Sequence, residues 1–139
     1  MLLVEIAKYL HNQKIGVFDE KGVKGNIFIN IVPASPDKTI SLFSTGGSAG
    51  DVKHGYDRPT VQIWLRGDKN PLTAFNKAQE IYNALQGFSG ERFIDNGSYI
   101  VDCRGVQSAP IHMGTDANGR HEYSINFILE TKNEFRRRY

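Results

Sequence analysis

The sequence predicts an α+β fold: a mostly antiparallel sheet of about five to six strands with two helices packed on one face. Three observations carry this. The stretch Asn70 to Phe88 has both ends of a helix written into it, extended segments with period-two alternation lie on both sides of it, and a second, shorter amphipathic stretch opens the chain.

The opening stretch places Leu3, Ile6, Ala7 and Leu10 on one side of a helix and Glu5, Lys8 and Asn12 on the wet side, with Gly16 allowing a turn after it. Asn26 to Val32 alternates until Pro33 removes a ladder donor, which predicts a first strand. Thr39 to Ser44 repeats the pattern with Ile40 and Leu42 inward. The intervening Pro33-Ala-Ser-Pro-Asp37 has turn chemistry throughout, so the two strands read as a hairpin. Thr45 to Asp57 holds four glycines and no apolar period, and reads as a long flexible loop. Pro59 to Arg66 is a strand with Val61, Ile63 and Leu65 on one side and Gln62, Trp64 and Arg66 on the other.

The long helix follows directly. Asn70 is a good N-cap and Pro71 suits the first helical position. Phe75, Ala78, Tyr82 and Leu85 recur at steps of three and four, with Leu72, Ala74 and Ile81 widening the stripe. Gly87 can close the last turn in the left-handed conformation, with Phe88 folding back as its apolar contact. The rest is extended. Arg92 to Ile94 leads through Asp95-Asn-Gly-Ser98 into Tyr99 to Val106, with Val101 and Cys103 on one face and Gly105 placed for a bend. Ile111 to Met113 then leads to a loop ending in Asn118-Gly119. Arg120 to Glu130 alternates with Tyr123, Ile125, Phe127 and Leu129 on one side, the longest regular strand in the chain.

At 139 residues, 40% hydrophobic and 23% charged, the chain fits one domain, 1–139, with a flexible loop near 45–57 and a basic tail near 133–139. No apolar run reaches the roughly 20 residues needed to cross a bilayer, and the first residues lack a basic leader with an apolar core, which predicts a cytosolic site of synthesis and no membrane. Formal net charge is +2, and Arg136, Arg137 and Arg138 supply three of the positive groups. The near-neutral body argues against a protein built to grip phosphates.

Convergent reactive groups are not legible. Ser44 to Gly50 is glycine-rich after a strand but lacks the Gly-Lys-Ser/Thr ending that holds phosphate and Mg²⁺, so it reads as a loop. Cys103 within an apolar strand reads as a small core residue. His11, His54, His112 and His121 show no metal-ligand spacing. His112 and His121 can approach across the last hairpin, and two imidazoles without a carboxylate or thiolate beside them read as exposed hairpin residues. Asp95, Asp102 and Asp116 sit in turns or on an outer strand face, where a solvated carboxylate is the default. The sequence therefore predicts no catalytic residue, no metal and no cofactor.

What remains are candidate contacts. Aromatic and Arg side chains are enriched where protein surfaces meet, which singles out Phe43, Trp64 and Arg66 together with Phe28 at outward strand positions. Gly47, His54 and Tyr56 join them from the long loop, and Arg136, Arg137 and Arg138 from the tail. The plain alternatives are a second packed sheet face and a solvated terminus.

The strand Arg58-Pro-Thr-Val-Gln-Ile-Trp-Leu-Arg-Gly67, followed by a helix closing in Ile81-Tyr-Asn-Ala-Leu-Gln-Gly87, resembles the minor capsid and tail terminator proteins of long-tailed bacteriophages. The rest of the chain agrees with them in length and element order. The resemblance implies a structural virion protein assembled as a hexameric, closed ring at the head-proximal end of the tail tube. It implies partners as well: further copies of itself, the tail tube protein and a head connector or stopper protein, with DNA passing through the bore without specific binding. Two other readings stay open, a head completion or stopper subunit of the same neck region and a small nucleotide-binding module using Gly46 to Gly50.

Overall fold

The computed structural model describes residues 1–51 and 55–132. Its elements run α1 (Leu2–Asn12), β1 (Ile27–Ile29), β2 (Thr39–Ser44), β3 (Ser48–Asp51), β4 (Tyr56–Arg58), β5 (Thr60–Arg66), α2 (Pro71–Leu85), β6 (Glu91–Arg92), β7 (Tyr99–Gly105), β8 (Ile111–Thr115) and β9 (His121–Lys132). The fold is α+β, as the sequence predicts, and the sheet is mixed.

β9 is the axis of the sheet. One of its sides takes β5 and then β4, and the other takes β8 and then β7. β2 and β1 continue the sheet beyond β5, and β3 and β6 extend it from β4 and β7. The alternation read for β5 and β9 holds: Val61, Ile63 and Leu65 are buried, as are Tyr123, Ile125, Phe127 and Leu129. These side chains, with Ile40, Leu42, Ile100 and Cys103, form one core with Leu3, Ile6 and Leu10 of α1 and Ala74, Ala78, Ile81 and Leu85 of α2. Both helices thus cover the same sheet face and leave the other free of helix.

α2 starts and stops as its sequence dictates. The Asn70 side chain accepts from the Leu72 amide at 3.0 Å, Pro71 occupies the first turn, and Gly87 has φ +78°. Phe88 packs against the core and stacks on Phe93, centroids 4.3 Å apart, with Tyr9 of α1 meeting both rings. α2 sits close to the sheet because residue 67 is glycine. A Cβ there would lie 2.8 Å from the Ala74 amide nitrogen and 2.9 Å from its Cβ.

Five expectations are corrected. First, β1 is shorter than Asn26 to Val32 and runs parallel to β2, with Ile27 opposite Ile40 and Ile29 opposite Leu42, so the two do not form a hairpin. The turn-rich segment 33–37 is the return that brings the chain back to the Thr39 end. It is held there by Arg66, which donates to the carbonyls of Pro36 (2.7 Å) and Asp37 (2.8 Å). Second, the glycine-rich stretch is not loop throughout, because it contains β3 and β4. β9 runs past the end of β5, and β4 fills that overhang through Tyr56 opposite Lys132 and Asp57 opposite Thr131.

Third, Glu5 does not lie on the wet side of α1. It is buried, and its carboxylate accepts from the Ser98 amide and hydroxyl. Fourth, Leu72 is 59% exposed and does not belong to the buried stripe of α2. Fifth, in β7 it is Ile100, not Val101, that shares the core with Cys103, because the register shifts between Ile100 and Asp102. A bulge there reverses which side chains point inward.

Candidate functional site

The helix-free sheet face carries an ordered row. Cross-strand partners point to the same face, so Phe28 lies beside Ser41, Ser41 beside Trp64, Trp64 beside Ser124, and Ser124 beside Ile111. Large side chains thus alternate with serines that are almost wholly buried between them. The next row holds Phe43, Gln62 and Asn126.

Polar side chains link this face. Trp64 Nε1 donates to Glu122 Oε2 at 2.7 Å, fixing the indole across two strands. The Ser124 hydroxyl oxygen accepts from Gln62 Nε2 and from Asn126 Nδ2, each at 3.2 Å. The hydroxyls of Thr39 and Ser41 are buried with no partner among the described residues.

β8 forms an edge beside this face. It pairs with β9 alone, and Ile111, His112 and Met113 are all exposed. Ile111 is 37% and Met113 47% exposed, and Val106 in the approach is 52% exposed. An open edge with apolar side chains is a template for another chain, and proteins that stay single blunt such edges with charge or Pro. β8 carries no charged residue apart from the titratable His112, and only a bulge between His112 and Gly114 interrupts its ladder.

A second cluster is internal. Arg120, 8% exposed, donates to Asp116 Oδ2 (2.8 Å), to the Ala34 carbonyl (2.9 Å) and to Asp37 Oδ1 (3.0 Å). With Arg66 it pins segment 34–37 to the sheet, so two guanidinium groups saturate backbone and carboxylate oxygens that would otherwise lie unpaired. The Asp116 carboxyl is held below its ordinary range, first by the Arg120 backbone N–H it accepts and then by the Arg120 side chain. Burial pushes the Cys103 thiol up to about 12, beyond use as a nucleophile at neutral pH.

The predicted contacts fall into separate places. Phe43 and Trp64 share the helix-free face, both half-buried. Gly47 leads into β3 with φ +96°, where any side chain would run into the backbone of Arg58 and Pro59, and Tyr56 lies half-buried on β4. Arg66 is 5% exposed and turns Nε and Nη2 inward onto the carbonyls of Asp37 and Pro36. His54, Arg136, Arg137 and Arg138 lie outside the described residues. Sequence reasoning passed over Ile111 and Met113, although three successive unshielded residues after Pro110 were the available signal.

Among the described residues no three of His, Cys, Asp and Glu lie close enough to share a metal ion, and no helix is long and apolar enough to cross a membrane. A largely apolar groove lies beside β1, lined by Val4, Phe18, Phe28, Ile29 and Ile31 with Asp19, Glu20 and Lys21 at its border.

Compared with known proteins, the chain matches the model of a family described as bacteriophage tail terminator protein over residues 9–133, most of its length. No curated protein matches it.

Proposed function

This chain belongs to the bacteriophage tail terminator family, and on that premise we propose that it assembles into a closed ring, hexameric in number, at the head-proximal end of the tail tube. There it stops tube polymerisation and offers the surface to which a head connector or stopper protein binds. Its place is the virion, at the junction of tail and head, after assembly in the host cytoplasm. DNA passes through the bore without specific binding, and a formal charge of only +2 suits a conduit that must not retain phosphates.

The observation that carries the reading is the unshielded β8 edge with Ile111 and Met113 exposed, next to the Trp64 row. A ring needs head-to-tail contacts between two different patches of each copy, and an open strand edge supplies one through backbone hydrogen bonds without any reactive group. Phe43, Gly47, His54, Tyr56, Trp64 and Arg136 to Arg138 remain proposed contacts, with Arg66 acting by holding segment 34–37 in shape.

Electron microscopy and native mass spectrometry of the chain alone, and then with purified tail tubes, test this. Rings, or chains recruited to the end of the tube, are expected. A persistent monomer that ignores tubes contradicts the reading, and uptake by filled heads but not by finished tails moves it to a stopper role.

A further inference from the structure

The last hairpin brings together two histidines whose side chains hydrogen-bond to each other. His112 of β8 and His121 of β9 face each other with Nε2 and Nδ1 3.0 Å apart, and their ring centroids are 5.2 Å apart. The backbone arranges this. The register shifts between His112 and Gly114, and Gly114 has φ +100°, a conformation that glycine adopts without cost. His112 lies opposite Tyr123, and His121 is two residues before Tyr123 on β9, so the pleat brings both imidazoles to one face. The Tyr123 ring, 5.0 Å from the His112 ring, backs it on one side.

The separation matches a chelate. Imidazole nitrogens bind first-row ions at about 2.0–2.1 Å, so two of them in adjacent octahedral positions lie about 2.9 Å apart, and in tetrahedral positions about 3.4 Å. The observed 3.0 Å falls between these values. In the metal-free pair one nitrogen must donate its proton to the other. In that hydrogen bond the two nitrogens point at each other, so binding one ion requires both imidazoles to turn until their lone pairs meet at a common point. Imidazole ligation without thiolate or a carboxylate cage suits Zn²⁺, Ni²⁺ and Cu²⁺ and disfavours Mg²⁺ and Ca²⁺.

We propose that His112 and His121 form a two-imidazole chelate for a divalent first-row transition ion at the exposed β8 edge, with water in the remaining coordination positions. This site stands on the hairpin geometry alone and is independent of the ring assignment.

The test uses the full chain without any purification tag. Isothermal titration with NiCl₂ is expected to show one ion bound per chain, and His112→Gln and His121→Gln each to weaken it by about tenfold or more, since either leaves a single ligand. Cu²⁺ bound to the native chain is expected to show coupling to two nitrogens in its electron paramagnetic resonance spectrum. Both histidines lie at the surface edge, so circular dichroism of the variants is expected to match the native chain. A variant that fails this check is replaced by its Asn counterpart. No binding by the native chain, a loss of less than tenfold in either folded variant, or MgCl₂ binding as tightly as NiCl₂ would overturn the proposal.

Discussion

Glu5 of α1 and Ser98 of the turn before β7 are joined twice: Glu5 Oε1 accepts from the Ser98 amide at 2.7 Å, and Oε2 accepts from its hydroxyl at 3.2 Å. Glu5 is 9% exposed, so this pair ties the first helix to a turn ninety-three positions later. Truncation leaves a backbone N–H facing an emptied site. Glu5→Ala is expected to cost about 1–3 kcal/mol in chemical denaturation. Glu5→Gln, whose amide oxygen can still accept from Ser98, is expected to cost less, and equal losses for the two would show that the carboxylate does not cap this turn.

Leu85 is 1% exposed at the last turn of α2, within the single core. Leu85→Ala is expected to lose about 2–5 kcal/mol by the lost transfer energy plus the cavity. Leu85→Asp puts an unpaired charge under the helix and is expected to abolish cooperative unfolding altogether. A sharp thermal transition for the Asp variant would place this turn outside the core.

Arg120 and Asp116 set an acid limit. The Asp116 carboxyl is held below its ordinary value of 3.8 by the Arg120 amide and then by its guanidinium. A carboxylate with a depressed folded-state value contributes fully above the unfolded value, and that contribution is lost as pH falls below 3.8 toward the folded one. Asp116→Asn is expected to flatten the acid limb of stability against pH below about pH 4. An unchanged limb would mean that the carboxylate does not restrain the segment.

Cys103 is 1% exposed and its thiol is pushed up to about 12 by burial, with Asp102 adding to the shift. The native chain is expected to react with a thiol reagent at pH 8 only as fast as it opens, and the denatured chain at once. Rapid modification of the native chain would show that β7 is loosely packed.

The β8 edge separates folding from assembly. Ile111→Lys together with Met113→Lys places charge on exposed side chains, so the midpoint of thermal unfolding is expected to stay within a few degrees of native. Ring formation and binding to tail tubes are expected to disappear, because charge on an edge strand blocks strand addition. Unimpaired rings from this variant would move the subunit contact elsewhere.

Much of this architecture is legible from local rules, and the misses have a common cause. The caps of α2 and the alternation of β5 and β9 depend on neighbours in sequence, and they appear where the residues place them. The direction of β1 depends on where Arg66 and Arg120 anchor segment 34–37, and their partners lie about thirty and more than eighty positions away. β3 and β4 exist because β9 outruns β5, a demand that comes from the sheet and not from glycine-rich residues of low strand propensity. The candidate surface was legible in its aromatic half, Phe43 and Trp64. It was illegible at Ile111 and Met113, whose exposure follows from β8 having no strand beyond it among the described residues.

The indole of Trp64, tied to Glu122 and half-buried amid hydroxyls and amides, belongs to the chain's single tryptophan. The molecule therefore carries one indole fluorophore, excited at longer wavelength than its six tyrosines and seated on its helix-free face. A partner that settles over that face and expels water should shift the emission to shorter wavelength and shield it from iodide, giving a label-free optical signal of the docking event.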